Sequence, residues 1–238
     1  MGIEDLSDLQ IIYGIFNLIF VCFTIIIGIK ILLKYIPFKR KEFITVGLTI
    51  IFLNSAYWSM TINFILICLF NTVLPIPVSI FIERAFIPAG VVCWLYSFGE
   101  LVYPRFKRNL IIISLIFCVP YEIFLIIFII INPDIIAIQV STFYTQHGPI
   151  SFAFNFITIS LVIITVILFA KKSFSSDNRI VRLKGKFLLI GALSVSIGMI
   201  IDTVVPLNML TAVLTRLIFI TGTILYYFGF FYPDKSTD

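Results

Sequence analysis

Glu83 and Arg84 stand side by side in Phe81-Ile82-Glu83-Arg84-Ala85-Phe86-Ile87-Pro88, near the start of an apolar run that ends around Tyr103. Opposite charges in such a run can bind an ionic ligand, exchange protons or lock helices together. Neighbours on a helix point about 100° apart and do not face each other, so each charge is expected to seek a partner on a different helix. Pro88 adds a second disturbance. It has no N–H to offer the Arg84 carbonyl four residues back, and a kink is expected there. Charges beside a freed carbonyl are costly in hydrocarbon and usually line a cavity or a packed polar core.

Three more charges interrupt apolar runs: Glu122, Asp202 and Arg216. Glu122 follows Pro120 and reads as a proton-coupling group or a neutral hydrogen-bond donor, because a buried carboxyl without a partner tends to be protonated. Asp202 precedes Pro206 by four residues, so its carbonyl is a second candidate for release. A polar stripe adds to these: Asn54, Tyr57, Trp58 and Thr61 fall at i, i+3, i+4 and i+7, one face of a helix. Asn155, Thr223 and Tyr227 are further polar residues in apolar surroundings. Helix–helix hydrogen bonding accounts for such a stripe as readily as pocket lining. Gly191, Ser194 and Gly198 read as a small-residue packing face.

Several chemistries are excluded. The single histidine, His147, rules out sites built from several histidines, and the four cysteines fall inside apolar runs with no metal-ligand or CxxC spacing. No metal site is expected. No nucleophile–base pair converges, so no enzyme is expected either. Retinal, the cofactor of many seven-span proteins, needs a lysine in the middle of the last span; no span has a central lysine, and no cofactor is expected.

The elements that must position these residues follow from composition. The chain has 238 residues, 61% hydrophobic and 12% charged, with a mean hydropathy of +1.14. That profile predicts an all-α, polytopic membrane protein, a seven-transmembrane helix bundle embedded in a lipid bilayer. The spans are expected at 11–33, 43–70, 79–103, 110–131, 151–170, 187–205 and 210–231. They form one domain, 11–231, between a short acidic N-terminus (1–10, not a basic leader) and a short tail (232–238). Lys30, Lys34, Lys39, Arg40 and Lys41 flank the first loop, Arg105, Lys107 and Arg108 the third, and Lys171, Lys172, Arg179, Arg182, Lys184 and Lys186 the fifth. The other three loops contain no lysine or arginine. The positive-inside rule therefore puts the N-terminus outside and the C-terminus in the cytoplasm, which explains the net charge of +5 without nucleic acid. Glu100 is expected in an ion pair at the inner interface. At about 1.5 Å per residue, Glu83, Arg84, Asp202 and Arg216 lie roughly 5–9 Å from the outer ends of their spans, and Glu122 roughly 14 Å. Pairing Glu83 with Arg216 and Arg84 with Asp202 neutralises most charge. The longest outer loop, Asn132–Pro149, carries Asp134 and His147 and is positioned to cover a pocket mouth.

The seven-span plan, with the closing run Tyr226-Tyr227-Phe228-Gly229-Phe230-Phe231-Tyr232-Pro233, resembles the seven-transmembrane sensor region at the N-terminus of some bacterial and archaeal histidine kinases. The resemblance covers topology over nearly the whole chain. It implies a sensor. Because the sequence has no phosphoacceptor helix or nucleotide-binding domain before Asp238, it also implies a stand-alone module whose output is a separate cytoplasmic signalling protein. The Ile/Phe/Lys-rich usage points to a prokaryotic cell membrane.

Two function classes follow. A receptor-like sensor would bind a small ligand in the outer half of the bundle, at the charges of spans three, six and seven, and report through its basic inner loops. The alternative is a small secondary transporter or channel. It ranks second because spans one to three and five to seven show no convincing repeat, whereas transporters often do.

Overall fold

The computed structural model describes residues 2–141, 143–205 and 209–231. Pro206, the Tyr232-Pro233 end of the aromatic run and the tail 232–238 lie outside the described residues. Among the described residues, seven helical segments are long and apolar enough to cross a membrane: Asp8–Phe38, Lys41–Phe70, Ile76–Val102, Pro104–Ile131, Pro149–Phe174, Arg179–Asp202 and Val213–Phe230. These agree with the seven expected spans to within a few residues at most ends. The helices within them are α1 (Asp8–Leu33), α2 (Tyr35–Phe38), α3 (Lys41–Leu53), α4 (Trp58–Phe70), α5 (Ile76–Arg84), α6 (Ile87–Val102), α7 (Lys107–Ile131), α8 (Pro149–Phe174), α9 (Arg179–Val204) and α10 (Met209–Phe231).

Local chemistry sets the ends. Ser7 Oγ accepts from the Gln10 N–H at 3.3 Å while the Gln10 side chain accepts from the Ser7 N–H at 2.9 Å, a reciprocal cap that starts α1. Asn178 caps α9 by accepting from the Ile180 N–H at 2.8 Å. Asn71, at φ 52°, ends α4 in the left-handed region that asparagine tolerates better than most residues.

The chain divides into two compact units, Met1–Thr158 and Ile159–Asp238. In the first, α1 packs on α3 and α4, α3 on α6, and α5 and α6 on α7. Helices α1 and α3 approach closely at Gly28 and Gly47, where a Cβ on Gly47 would meet the Gly28 carbonyl oxygen at 2.6 Å. Thr45 and Ser97 share a hydrogen bond of 2.5 Å between α3 and α6. In the second unit α9 and α10 meet at Gly191 and Gly222: a Cβ on either would lie 2.8–2.9 Å from the other's carbonyl oxygen. Gly191 and Gly198 thus form the packing face expected of span six.

Beside an apolar core, many large apolar side chains are exposed and several polar ones are buried. Ile116, Ile130 and Leu69 are more than two-thirds exposed, while Asn17, Ser55, Ser97 and two arginines are almost fully buried.

The loop 132–149 holds a feature not expected from the sequence. Strand β1 (Ala137–Ser141) pairs antiparallel with β2 (Tyr144–His147), Ala137 opposite His147, with an irregularity between Gln139 and Ser141. Ile136 and Ala137 are buried against Ile80 of α5 and Leu125 of α7, and the Phe143 ring lies 6.4 Å from that of Phe64 on α4. Gly148 closes the hairpin, its N–H donating to the Ile136 carbonyl at 2.8 Å, where a Cβ would strike the Ile135 carbonyl.

Candidate functional site

Span three breaks where Pro88 predicts. Helix α5 ends at Arg84, Ala85 and Phe86 form a turn, and Pro88 occupies the first turn of α6, where its missing N–H costs no helical bond. The break leaves Glu83 and Arg84 at the last turn of α5, both buried, with Arg84 only 1% exposed.

Their partners correct the sequence expectation. Arg84 Nη2 pairs with Glu83 Oε1 of its own helix at 2.6 Å, and Arg216 pairs with Asp202, at 3.4 Å for both Nη1–Oδ1 and Nη2–Oδ2. The expected pairs were Glu83 with Arg216 and Arg84 with Asp202. The 100° rule fixes Cβ directions, but a guanidinium lies three rotatable bonds beyond its Cβ and can swing back over a neighbour at a helix end. Asp202 and Arg216 lie near facing ends of consecutive helices that pack on each other, so each unit neutralises its own arginine. The Arg216 guanidinium also sits 5.2 Å from the centre of the Phe219 ring, within cation–π range.

The hairpin completes the first cluster. The Arg84 Nη2 group donates to His147 Nδ1, with Nε2 of the same ring 3.4 Å away. Arginine has only donors and stays charged, so Nδ1 must present its lone pair and the imidazole must be neutral with its proton on Nε2. Burial first, and the Arg84 guanidinium second, push the His147 imidazole down to about 3 from its ordinary 6.5. The Thr145 side chain of the same strand reaches the Glu83 carboxylate. From α7, Tyr121 lies within electrostatic range of Glu83, Arg84 and Glu122; its hydroxyl donates to Ser151 Oγ at 3.4 Å and its ring stacks on Phe154. Two atoms at this level lack a hydrogen-bond partner among the described residues: Arg84 Nε and Glu122 Oε2.

The polar stripe of span two does not run along one helix. A 3-10 segment, Asn54–Tyr57, separates α3 from α4 and changes the periodicity at the stripe's start. Tyr57 and Thr61 turn toward α1, where Asn17 Nδ2 donates to the Tyr57 carbonyl at 3.0 Å and to Thr61 Oγ1 at 2.8 Å. Asn54 bonds back to the Ile50 carbonyl at 2.7 Å, and Trp58 packs on Phe86 at 5.1 Å. Helix packing thus accounts for Tyr57 and Thr61, whereas Asn54 bonds within its own span and its Oδ1 has no hydrogen-bond partner among the described residues. Asn155 is half-buried on α8. At the other end of α6, Glu100 pairs with Lys107 at 2.6 Å, as an interfacial carboxylate should.

Of the residues singled out from sequence, Glu83 and Arg84 meet the hairpin, Glu122 lies on α7 next to Tyr121, and Asp202 and Arg216 form a pair of their own. His147, Thr145, Tyr121 and Ser151 were missed as site residues. Their signal was faint: a lone histidine closing Tyr144-Thr145-Gln146-His147, four residues of strand type after a turn. Comparison with protein-family models, with curated proteins and with solved structures finds no match.

Proposed function

We propose that the chain is a multi-pass cell-membrane receptor-like sensor, with its N-terminus and the β1–β2 hairpin outside and its C-terminus in the cytoplasm. The membrane reading draws on the exposed apolar faces, the buried polar groups and the basic residues gathered at alternate loops. The observation that carries the sensor reading is the contact of His147, on an outer hairpin, with a buried Arg84–Glu83 pair at a helix break. A small polar or amphiphilic ligand arriving from outside competes with His147 and Thr145 for that pair. The turn at Ala85–Phe86 then changes, and α6 carries the change to the Glu100–Lys107 pair beside the basic third loop. A separate cytoplasmic signalling protein reads it there, in the manner of the sensor regions the topology resembles.

One observation favours transport instead. Two neighbouring helical segments are interrupted near each other, with Phe86 of the α5–α6 turn packed between Phe52 and Trp58 at the α3–α4 break. Broken helices are common at transporter binding sites. Flux of ions, amino acids and sugars in proteoliposomes separates the readings, alongside reporters inserted at 132–136 and 175–178. The sensor reading expects the first reporter outside, the second inside, and no flux above empty vesicles. Both reporters on one side, or saturable flux, overturns it.

A further inference from the structure

The hairpin meets the bundle through a contact that a proton can abolish. His147 Nδ1 accepts from Arg84, so its lone pair is the bond. Adding a proton to that nitrogen turns the acceptor into a donor and sets imidazolium against guanidinium. Arg84 is the charge that acts on the ring; Glu83 pairs with Arg84 on α5, and from α7 Tyr121 lies within electrostatic range of both, with Glu122 next to it in the sequence. Glu83 is already committed to Arg84 at 2.6 Å, and Tyr121 to Ser151 at 3.4 Å. With the Glu83 carboxylate serving the arginine, an imidazolium formed beside Arg84 meets a like charge. The rest of the hairpin's hold includes the Thr145 hydrogen bond to Glu83 and, among the described residues, buried Ile136, Ala137 and Phe143.

We propose that His147 is a proton-binding latch, and that proton uptake at Nδ1 frees the Ala137–His147 hairpin from Arg84 and opens the outer face of the first unit. The step adds one proton from the outer solution to the imidazole and breaks one hydrogen bond. This deepens the receptor reading by naming the proton as a ligand of the outer site, and rests on that reading only for which side supplies the acid. The closed hairpin resists protonation and the open one does not, so acid draws the equilibrium toward the open form. With the imidazole at 6.5 when open and about 3 when closed, the open-to-closed ratio rises by up to about 100-fold between pH 7.5 and pH 4.5.

Hydrogen exchange of the full chain in lipid nanodiscs tests this, comparing the wild type with His147→Asn. The asparagine carbonyl oxygen takes the place of Nδ1 as acceptor and does not titrate. Intrinsic exchange chemistry cancels between the two proteins at one pH. The expected result is equal protection of 137–147 at pH 7.5, and protection in the wild type lower by tens-fold at pH 4.5. Equal protection at both pH values overturns the latch. If His147→Asn has already lost hairpin protection at pH 7.5, the wild-type hairpin is instead compared with wild-type α1 (Asp8–Leu33) across the same pH change. Selective loss in the hairpin supports the latch, and parallel loss overturns it. A hairpin that stays closed at pH 4.5 leaves the receptor reading standing, whereas solute flux through a chain whose hairpin opens defeats the receptor reading and leaves the latch.

Discussion

Glu83→Gln should be among the most damaging single-atom changes in the first unit. The substitution keeps the side chain's shape but leaves the Arg84 guanidinium, 1% exposed, with only neutral acceptors. Breaking a buried ion pair from one side commonly costs about 3–5 kcal/mol, because the remaining charge is uncompensated. Arg84→Met strands Glu83, 6% exposed, and should cost a similar amount, less whatever Glu83 recovers by taking a proton. The double variant Glu83→Gln/Arg84→Met has no charge to strand. Replacing both members of a buried pair is often close to neutral, so the double should lose only about 1–2 kcal/mol, mostly from the His147 bond. Unfolding free energies from steric trapping in bicelles give the four corners of the cycle, and a coupling of several kcal/mol is expected. Losses that add to within about 0.5 kcal/mol would refute the reasoning, since additivity marks independent sites.

The pH dependence of stability carries a definite sign. A histidine whose imidazole sits at about 3 in the folded chain and at 6.5 when unfolded contributes nothing to the slope above 6.5. Between 6.5 and about 3 the unfolded chain binds more protons, so stability is lost as the pH is lowered through that window, by at most about 1.4 kcal/mol per unit. Subtracting the His147→Asn profile should isolate that slope, and superimposable profiles would count against it. Gly47→Ala sets a methyl 2.6 Å from the Gly28 carbonyl oxygen and should destabilise by about 1–3 kcal/mol through forced separation of α1 and α3, read by the same unfolding assay. Asn17→Leu removes the donor to both the Tyr57 carbonyl and Thr61 Oγ1, leaving that carbonyl the Thr61 hydroxyl at 3.1 Å, and should cost about 1–2 kcal/mol; a neutral substitution would mean that the Thr61 hydroxyl alone satisfies it.

Apolar run length and prolines made the helical plan legible. Seven runs of about 20 residues became seven span-length helices, and Pro88 marked the α5–α6 break because a missing N–H acts the same way in any context. The break at Asn54–Tyr57 had no such mark. No proline or glycine lies there, and the segment departs from α geometry in a polar stretch where Asn17 supplies a side-chain donor to the Tyr57 carbonyl. The charged residues were legible as residues but not as pairs. Depth along a helix follows from counting, whereas the neighbour that a four-bond side chain reaches depends on packing. That is why Arg84 folds back on Glu83 and Arg216 reaches Asp202. The hairpin was hidden by its size: four- and five-residue strands separated by a short turn carry little periodicity, and the role of His147 depends on where that hairpin lands.

Because the chain contains one histidine, a single isotope-labelled imidazole reports the central contact directly. Histidine-selective nitrogen-15 NMR of the protein in nanodiscs, titrated from pH 8 to pH 4, distinguishes a protonated from a lone-pair nitrogen. A hairpin seated on the buried Arg84–Glu83 pair requires a neutral ring with its proton on Nε2, a hydrogen-bonded lone pair on Nδ1, and a midpoint well below 6.5. An imidazole that exchanges freely between tautomers and titrates at its ordinary value would mean that His147 does not touch Arg84, and the site described here would fall with it.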